Sequence, residues 1–251
     1  LELKDSLQYD GLWDPHHHKS MGLCAEECAK KFSFTREQQD DWARLSFERS
    51  QSASQKGYFR SEIAPVTVME KKQQVVIETD EGPFKANFAK MSLLSPAFDP
   101  QGTITAANAS TLNDGACTLL LGGDRYRDQA KFKICSYASF AQDSLWFTTS
   151  PAKAMKNALE KAGLDWADID FFEINEAFAV VTLAAIKECG LHQEKVNVWG
   201  GAISLGHPIG CSGSRIVLTL MSILEHHQKK YGMATLCIGG GEALAMIIER
   251  L

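Results

Sequence analysis

Apolar and polar positions follow different rules in the two halves of the chain. Up to about residue 110 the sequence is polar, irregular and loop-rich. One stretch stands out there: Thr35 with Gln38 forms a capping box, Trp42, Leu45 and Phe47 supply apolar positions, and Gly57 closes the run, which predicts one helix. Residues 63–68 and 75–78 read as short strands. From residue 111 the pattern becomes regular. Asn113-Asp114-Gly115 opens a predicted short helix at 116–121, stopped by Gly122-Gly123, and a strand is predicted at 131–137. Ser150-Pro151 starts a helix whose Met155, Leu159 and Ala162 share a face before Gly163. Residues 169–174 read as a buried strand, and Asn175 as the cap of a largely apolar helix that runs to Cys189-Gly190. A strand at 195–199 and a turn at Gly200-Gly201 come next. Ser212 then starts a helix with Ile216, Leu220, Ile223 and Leu224 inward, ending near Gly232. Strands at 234–238 and 244–249 flank Gly239-Gly240-Gly241. Alternating strands and helices make this half an α/β layered domain.

Composition narrows the class. The chain has 251 residues, 45% of them hydrophobic and 23% charged, with 26 Lys plus Arg against 31 Asp plus Glu and a net charge of -5. That is ordinary globular usage. No Lys/Arg block exceeds two residues, so nucleic acid is not an expected partner. No apolar run approaches the ~18 residues of a membrane span, so a membrane is not expected either. Seven cysteines at irregular spacing argue for a reducing compartment rather than a disulfide framework. Cys24 and Cys28 share a helical face without a second pair at zinc-site spacing, and His16-His17-His18 reads as a polar loop.

Three segments carry candidate chemistry. Asn175-Glu176-Ala177-Phe178 sits at a strand-to-helix junction, where Asn175 reads either as an N-cap with a first-turn Glu176 or as a site residue. In Gly200-Gly201-Ala202-Ile203-Ser204-Leu205-Gly206-His207-Pro208-Ile209-Gly210, one histidine is held in glycine- and proline-rich backbone. That suits a general base, and it also suits a loop histidine bonded to backbone. Cys237 precedes three glycines at a strand end. It is either an inert buried thiol or a group that substrate can approach closely. Together, an Asn, a His and a Cys at strand ends of one sheet suggest acid–base work on an acyl or carbonyl substrate.

In these segments the sequence resembles the thiolase family, and in particular its acetyl-CoA acetyltransferase (acetoacetyl-CoA thiolase) type. The order and spacing of Asn175–Phe178, Gly200–Gly210 and Cys237–Gly241 match that family's motifs. Gly11-Leu12-Trp13-Asp14, Met21-Gly22 and Asn108-Ala109-Ser110 with Asn113-Asp114-Gly115 extend the match over essentially the whole chain. The resemblance implies a thiolase-like α/β layered fold, here the C-terminal half of a duplicated α-β-α architecture plus a loop domain. Its divisions are residues 1–110 (loop domain), 111–130 (last segment of the N-terminal domain) and 131–251 (C-terminal domain). It implies reversible Claisen condensation of two acetyl-CoA to acetoacetyl-CoA and CoA. His207 would activate the nucleophile and bind the thioester oxygen, Cys237 would exchange the α-proton, Asn175 would hold a water in one oxyanion hole and the Gly239 N–H would donate in the other. Leu12, Met21, Ala177 and Phe178 would line the pantetheine channel, Ser110 would contact it, and Lys85 and Lys90 would approach the CoA phosphates or stay solvated. Coenzyme A thioester is the expected substrate, with no tightly bound cofactor. Potassium would be held by backbone oxygens of Ala106, Ala107, Ala109 and Ile203. The full-length protein is expected to be a homodimer or homotetramer, intracellular, in mitochondrion or cytoplasm.

The sequence also departs from the family. The nucleophilic Cys of the N-terminal half-domain and its glycine-rich turn have no match here. Leu1 therefore reads as an entry point into a longer protein, and the chain alone is expected to be inactive. The alternative is a naturally truncated, non-catalytic protein that binds CoA or a partner. Ser20 replaces the family's His before Met-Gly, Thr148-Thr149-Ser150 replaces a Gly-x-Gly, and Phe47 stands where potassium-responsive enzymes have a Tyr hydroxyl.

Overall fold

The computed structural model describes residues 3–251. A small ribbon, β1 (Trp13–Asp14) against β2 (Lys19–Ser20), leads into helix α1 (Met21–Phe32). The Ser20 hydroxyl accepts from the Leu23 N–H and caps this helix. The sequence pattern predicts one helix in the first 110 residues and misses α1, because its buried face is made of Cys24, Ala25, Cys28 and Ala29 rather than large aliphatic side chains. Helix α2 (Arg36–Gln55) follows, with the predicted Thr35–Gln38 capping box in place. The two short strands form a hairpin of β3 (Val66–Glu70) and β4 (Gln73–Ile77), slightly displaced from the predicted spans, and α3 (Phe88–Met91) is a single turn.

The predicted helix at 116–121 does not form. Residues 110–123 are irregular, with Leu120 99% and Leu121 74% exposed. A six-residue helix without a buried face cannot offset its nucleation cost, and Cys117 accordingly lies in irregular chain. Gly115 is pressed against the Pro208 ring instead: a Cβ there would come within 2.7 Å of it.

The remaining residues build a three-layer unit. In chain order these are β5 (Phe132–Ala141), α4 (Ser150–Ala162), β6 (Phe171–Ile174), α5 (Ala179–Cys189), the single turn α6 (Ala202–Leu205), α7 (Ile209–His227), β7 (Tyr231–Cys237) and β8 (Glu242–Arg250). The sheet order is β5-β8-β7-β6, with β6 parallel to β7 and the other pairs antiparallel. Alternation along the strands assigns its two faces. Met233 and Ile247 pack with Met155, Ala158 and Leu159 of α4, while Ala234 and Ile248 pack with Ile216, Leu220 and Leu224 of α7. Each fully buried aliphatic side chain of this kind contributes roughly 1.5–3 kcal/mol.

Further predicted elements shift. Helix α7 starts at Ile209 with Pro208 as its N-cap and ends at His227 with left-handed Gln228, so Ser212 lies inside it and Gly232 belongs to β7. The strand predicted at 195–199 is reduced to one parallel bridge, Val196 with Phe172. Asn197, at φ +48°, pairs with β6 through its side chain: Oδ1 accepts from the Ile174 N–H and Nδ2 donates to the Ile174 carbonyl, both at 2.8 Å. No helix of the described residues is long and apolar enough to cross a membrane.

Candidate active site

Parallel pairing of β6 with β7 puts their carboxyl ends side by side. Asn175 directly follows β6, and its N–H donates to the Thr235 carbonyl at 3.0 Å; Cys237 is the last residue of β7. Asn175 is not a helix cap, since α5 begins only at Ala179 after an extended Phe178. Its fully buried side chain turns to His207: Asn175 Nδ2 lies 3.3 Å from His207 Nε2. Asn175 Oδ1 is sealed from solvent and has no hydrogen-bond donor among the described residues.

The histidine's second nitrogen fixes its tautomer. Ser212 Oγ donates to the Pro208 carbonyl at 3.0 Å, so its lone pair receives the His207 Nδ1–H at 2.5 Å. Nε2 is then the unprotonated nitrogen, and accepts from the Asn175 amide. Burial pushes the His207 pKa down to about 4, and the Arg215 cation adds to that. The ring is therefore a neutral acceptor at physiological pH, poised as a base rather than as a cation. Its own backbone N–H donates to the Thr111 carbonyl at 3.0 Å, which fastens the 110–123 segment over the loop.

Glu176 carries the loop. The sequence suggests a first-turn acid favoured by a helix dipole; the structure buries it completely and gives it four donors instead. These are Trp42 Nε1 at 3.0 Å, Ser46 Oγ at 2.7 Å, Asn197 Nδ2 at 2.8 Å and the Ile203 N–H at 3.2 Å. One carboxylate thus ties α2, the Asn197 turn and α6 to the end of β6. Gly201 leaves the space for it, as a Cβ there would stand 2.3 Å from the Glu176 carboxyl carbon, and Gly200 turns the chain at φ +83°. Sequence reasoning also passes over Ser212 as a site residue; its spacing five residues after His207, on the first turns of α7, is the available signal.

Cys237 is 8% exposed, and burial pushes its thiol up to about 12, so it rests protonated. It shares an apolar cluster with Met21, Ala109 and Phe178, against which Leu12 and Ala177 pack. The residues expected along a pantetheine channel are thus brought together beside Cys237. Ser110 joins them, both its N–H and its Oγ donating to the Ala177 carbonyl at 3.0 Å. Gly239 lies in the turn after β7, close enough to Met21 that a Cβ would come within 2.9 Å of its sulfur. The Gly239 N–H makes no hydrogen bond among the described residues. Lys85 and Lys90 stay outside this cluster: both are exposed, and Lys85 pairs with Glu81. Its turn (Gly82–Lys85) nevertheless packs on α6, where Gly82 meets the Ser204 carbonyl.

The residues expected around a potassium ion lie in different surroundings. Phe47 packs edge-on against Phe88, with centroids 6.2 Å apart, and brings no oxygen where a hydroxyl is needed. Ala106 is exposed while Ala109 is in the apolar cluster and Ile203 in the α4-side core. No step is assigned to an ion here. Among the described residues, no group of three metal-ligating side chains occurs. His17 instead binds the buried Asp14 carboxylate through Nδ1 at 2.6 Å, as part of a polar latch to Ser144.

Comparison with known sequences decides the family. The chain matches the thiolase N-terminal domain over residues 1–124 and the thiolase C-terminal domain over 128–250. The chain belongs to the thiolase family. It is 47% identical to acetyl-CoA acetyltransferase 2 of Arabidopsis thaliana, over 99% of this chain and 64% of that protein. It is 46% identical to a mitochondrial acetyl-CoA acetyltransferase of Aspergillus fumigatus, over 100% of this chain and 59% of that one. The chain thus spans less than two thirds of these relatives' length. Among solved structures it superposes on the Bacillus anthracis acetyl-CoA acetyltransferase with a TM-score of 0.95 at 40% identity, covering 100% of this chain and 64% of that one. With the Ascaris suum Acat5 thiolase, solved in complex with coenzyme A, the TM-score is 0.92 at 44% identity, covering 100% and 65%. The thiolase-like α/β layered fold expected from the sequence is therefore the fold of this chain.

Proposed function

We propose that this chain carries the acid–base half of an acetyl-CoA acetyltransferase site, which interconverts two acetyl-CoA with acetoacetyl-CoA and CoA. The observation that carries this reading is the meeting of His207, locked as the Nδ1–H tautomer, with Asn175 at the sheet edge that also ends in Cys237. In condensation a thiol attacks the thioester of the first acyl-CoA, its proton passing to His207 Nε2 as CoA leaves. Cys237 gives its own proton to the departing CoA thiolate, and the resulting Cys237 thiolate then removes an α-proton from the second acyl-CoA. The enolate forms a carbon–carbon bond to the acyl group, and the first thiol is expelled, taking its proton back from His207. In thiolysis the protonated Cys237 gives its proton back to the α-carbon, which matches its resting state. Asn175 Oδ1, buried and unpartnered among the described residues, would accept from a water that faces the thioester oxygen, and the Gly239 N–H would face the other developing oxyanion.

None of the seven cysteines hydrogen-bonds to His207 among the described residues. Cys24 and Cys28 are buried thiols pushed up to about 11. We therefore assign the attacking thiol to residues outside these 251, with residues 1–110 as loop domain, 111–130 as the end of an N-terminal domain and 131–251 as C-terminal domain. The A. suum neighbour binds coenzyme A, which supports a CoA-binding role for the cluster around Met21 and Phe178. Assembly as a homodimer or homotetramer, and a place in mitochondrion or cytoplasm, belong to the same reading. Calorimetric titration of CoA into the chain tests it: binding that weakens in Phe178→Ala is expected, and no binding heat would contradict it. The chain alone should show no thiolysis of acetoacetyl-CoA; measurable turnover would refute the assignment of the thiol elsewhere.

A further inference from the structure

Helix α7 hides a polar seam. Ser212, Arg215, Thr219 and Ser222 recur at intervals of three and four residues, so they share one face. Ser212 and Thr219 are at most 1% exposed and Ser222 9%. The upper end of the seam is Ser212, which holds the His207 ring. At the lower end Thr219 and Ser222 donate to the two oxygens of Glu62 at 3.2 and 2.9 Å. Between them lies Arg215, one turn below Ser212, and helical side chains lean toward the N-terminus, that is, toward His207. All three guanidinium nitrogens are sealed from solvent without a hydrogen-bond partner among the described residues. Across from α7, Glu173 occupies the same face of β6 as Phe171, which packs into the α7-side core, and its two oxygens are likewise buried and unpartnered. A buried guanidinium is costly to keep, and this one is not used to close an ion pair.

We propose that Arg215 is a positioning residue for His207: a sealed cation, set one helical turn from the Ser212 anchor, that keeps the imidazole unprotonated so that Nε2 stays available as the site's proton acceptor. The proposal rests on His207 being the base of the site described above. The titratable and charged groups coupled electrostatically to the seam are Glu62 after the Tyr58–Ser61 turn, Asp80 before the Gly82–Lys85 turn, Cys117 in the irregular segment with Cys211 on α7, and Glu173 on β6, which Glu176 and Arg49 of α2 also influence. Burial raises Glu62 to about 7 and Glu173 to about 8. Both carboxyls are therefore neutral in the acid range where His207 takes up its proton, which weakens their pull on the Arg215 charge there.

The test is an NMR titration of the His207 ring in the 251-residue chain, which requires no turnover. The wild-type ring should stay the Nδ1–H tautomer and titrate near 4; a midpoint near 6.5 would overturn the proposal. In Arg215→Met the midpoint should rise by up to about 1 pH unit, since burial is the larger cause of the depression and remains, and Arg215→Lys should restore most of the wild-type value. Glu62→Gln and Glu173→Gln should leave it in place. A folded Arg215→Met with an unmoved His207 midpoint would refute the role. If that variant does not fold, Arg215→Gln, which keeps a polar head without the charge, reads the same midpoint and carries the same two outcomes. A shifted midpoint in a protein that proves to lack acyl-transfer activity would sink the functional reading and leave this inference standing.

Discussion

Glu176 offers the sharpest stability test. Replacing it with Gln keeps its shape and removes one acceptor oxygen. The best orientation leaves the amide oxygen with Trp42 Nε1 and Asn197 Nδ2 and turns the NH₂ toward Ser46 and the Ile203 N–H. Ser46 can rotate its hydroxyl and accept; the Ile203 N–H cannot. The variant therefore strands one buried backbone donor, at about 1–3 kcal/mol, and gives up charge-assisted bonds worth about twice neutral ones. A total loss of about 2–4 kcal/mol is expected. Glu176→Ala strands all four donors and should approach the whole stability of a domain this size, about 5–15 kcal/mol. Burial raises the Glu176 carboxyl on balance, against the pull of its four hydrogen bonds; because all four contacts are donors, their geometry suits the ionised form. Urea unfolding of wild type and Glu176→Gln at neutral pH measures the difference. A change below about 0.5 kcal/mol, within the range of neutral surface substitutions, would refute the ionised hub, because only a protonated Glu176 is so well mimicked by an amide.

Other outcomes follow from the same contacts. The His207 pKa is depressed in the folded chain, so the unfolded state binds more protons between about 4 and 6.5. Stability from this group is complete above 6.5 and is lost as pH falls to about 4, by about 3 kcal/mol in all; urea midpoints across that window check it, and His207→Asn should flatten the slope. Ser212→Ala removes the acceptor for Nδ1–H, so the ring's ¹⁵N shifts should show mixed tautomers; an unchanged Nδ1–H form would contradict the assigned hydrogen bond. Leu220→Ala should cost about 2–5 kcal/mol, read by chemical denaturation, since Leu220 is fully buried under β7. Cys237, buried and raised to about 12, should resist alkylation in the native chain at pH 8 and react on unfolding, as peptide mapping would show.

Much of the layered half was legible in the sequence for identifiable reasons. Pro151 and Gly163 punctuate α4, and Ile216, Leu220, Ile223 and Leu224 mark the inward side of α7, all local signals that tertiary packing reinforces. The misses come where long-range contacts override local preference. Asn197 spends its side chain on β6 and so cancels a strand, and residues 116–121 lack the buried face that a helix needs. Helix α1 hides behind small residues and cysteines. At the candidate site, His207, Asn175 and Cys237 stand out by their setting in motifs. Glu176, Ser212 and Arg215 did not, because their partners lie 5 to 134 residues away in the chain or across the seam of α7.

The central claim is that His207 and Cys237 are the proton-moving groups of an acyl-transfer site completed by residues outside this chain. Joining the chain to the part of its Arabidopsis relative that lies outside the match, and following thiolysis of acetoacetyl-CoA by loss of the substrate's absorbance, tests that claim most directly. The account predicts turnover by the fusion that falls by at least about 10²-fold in His207→Ala and in Cys237→Ala, the usual contribution of a positioned acid or base. Turnover that survives both substitutions at the parent rate would contradict it.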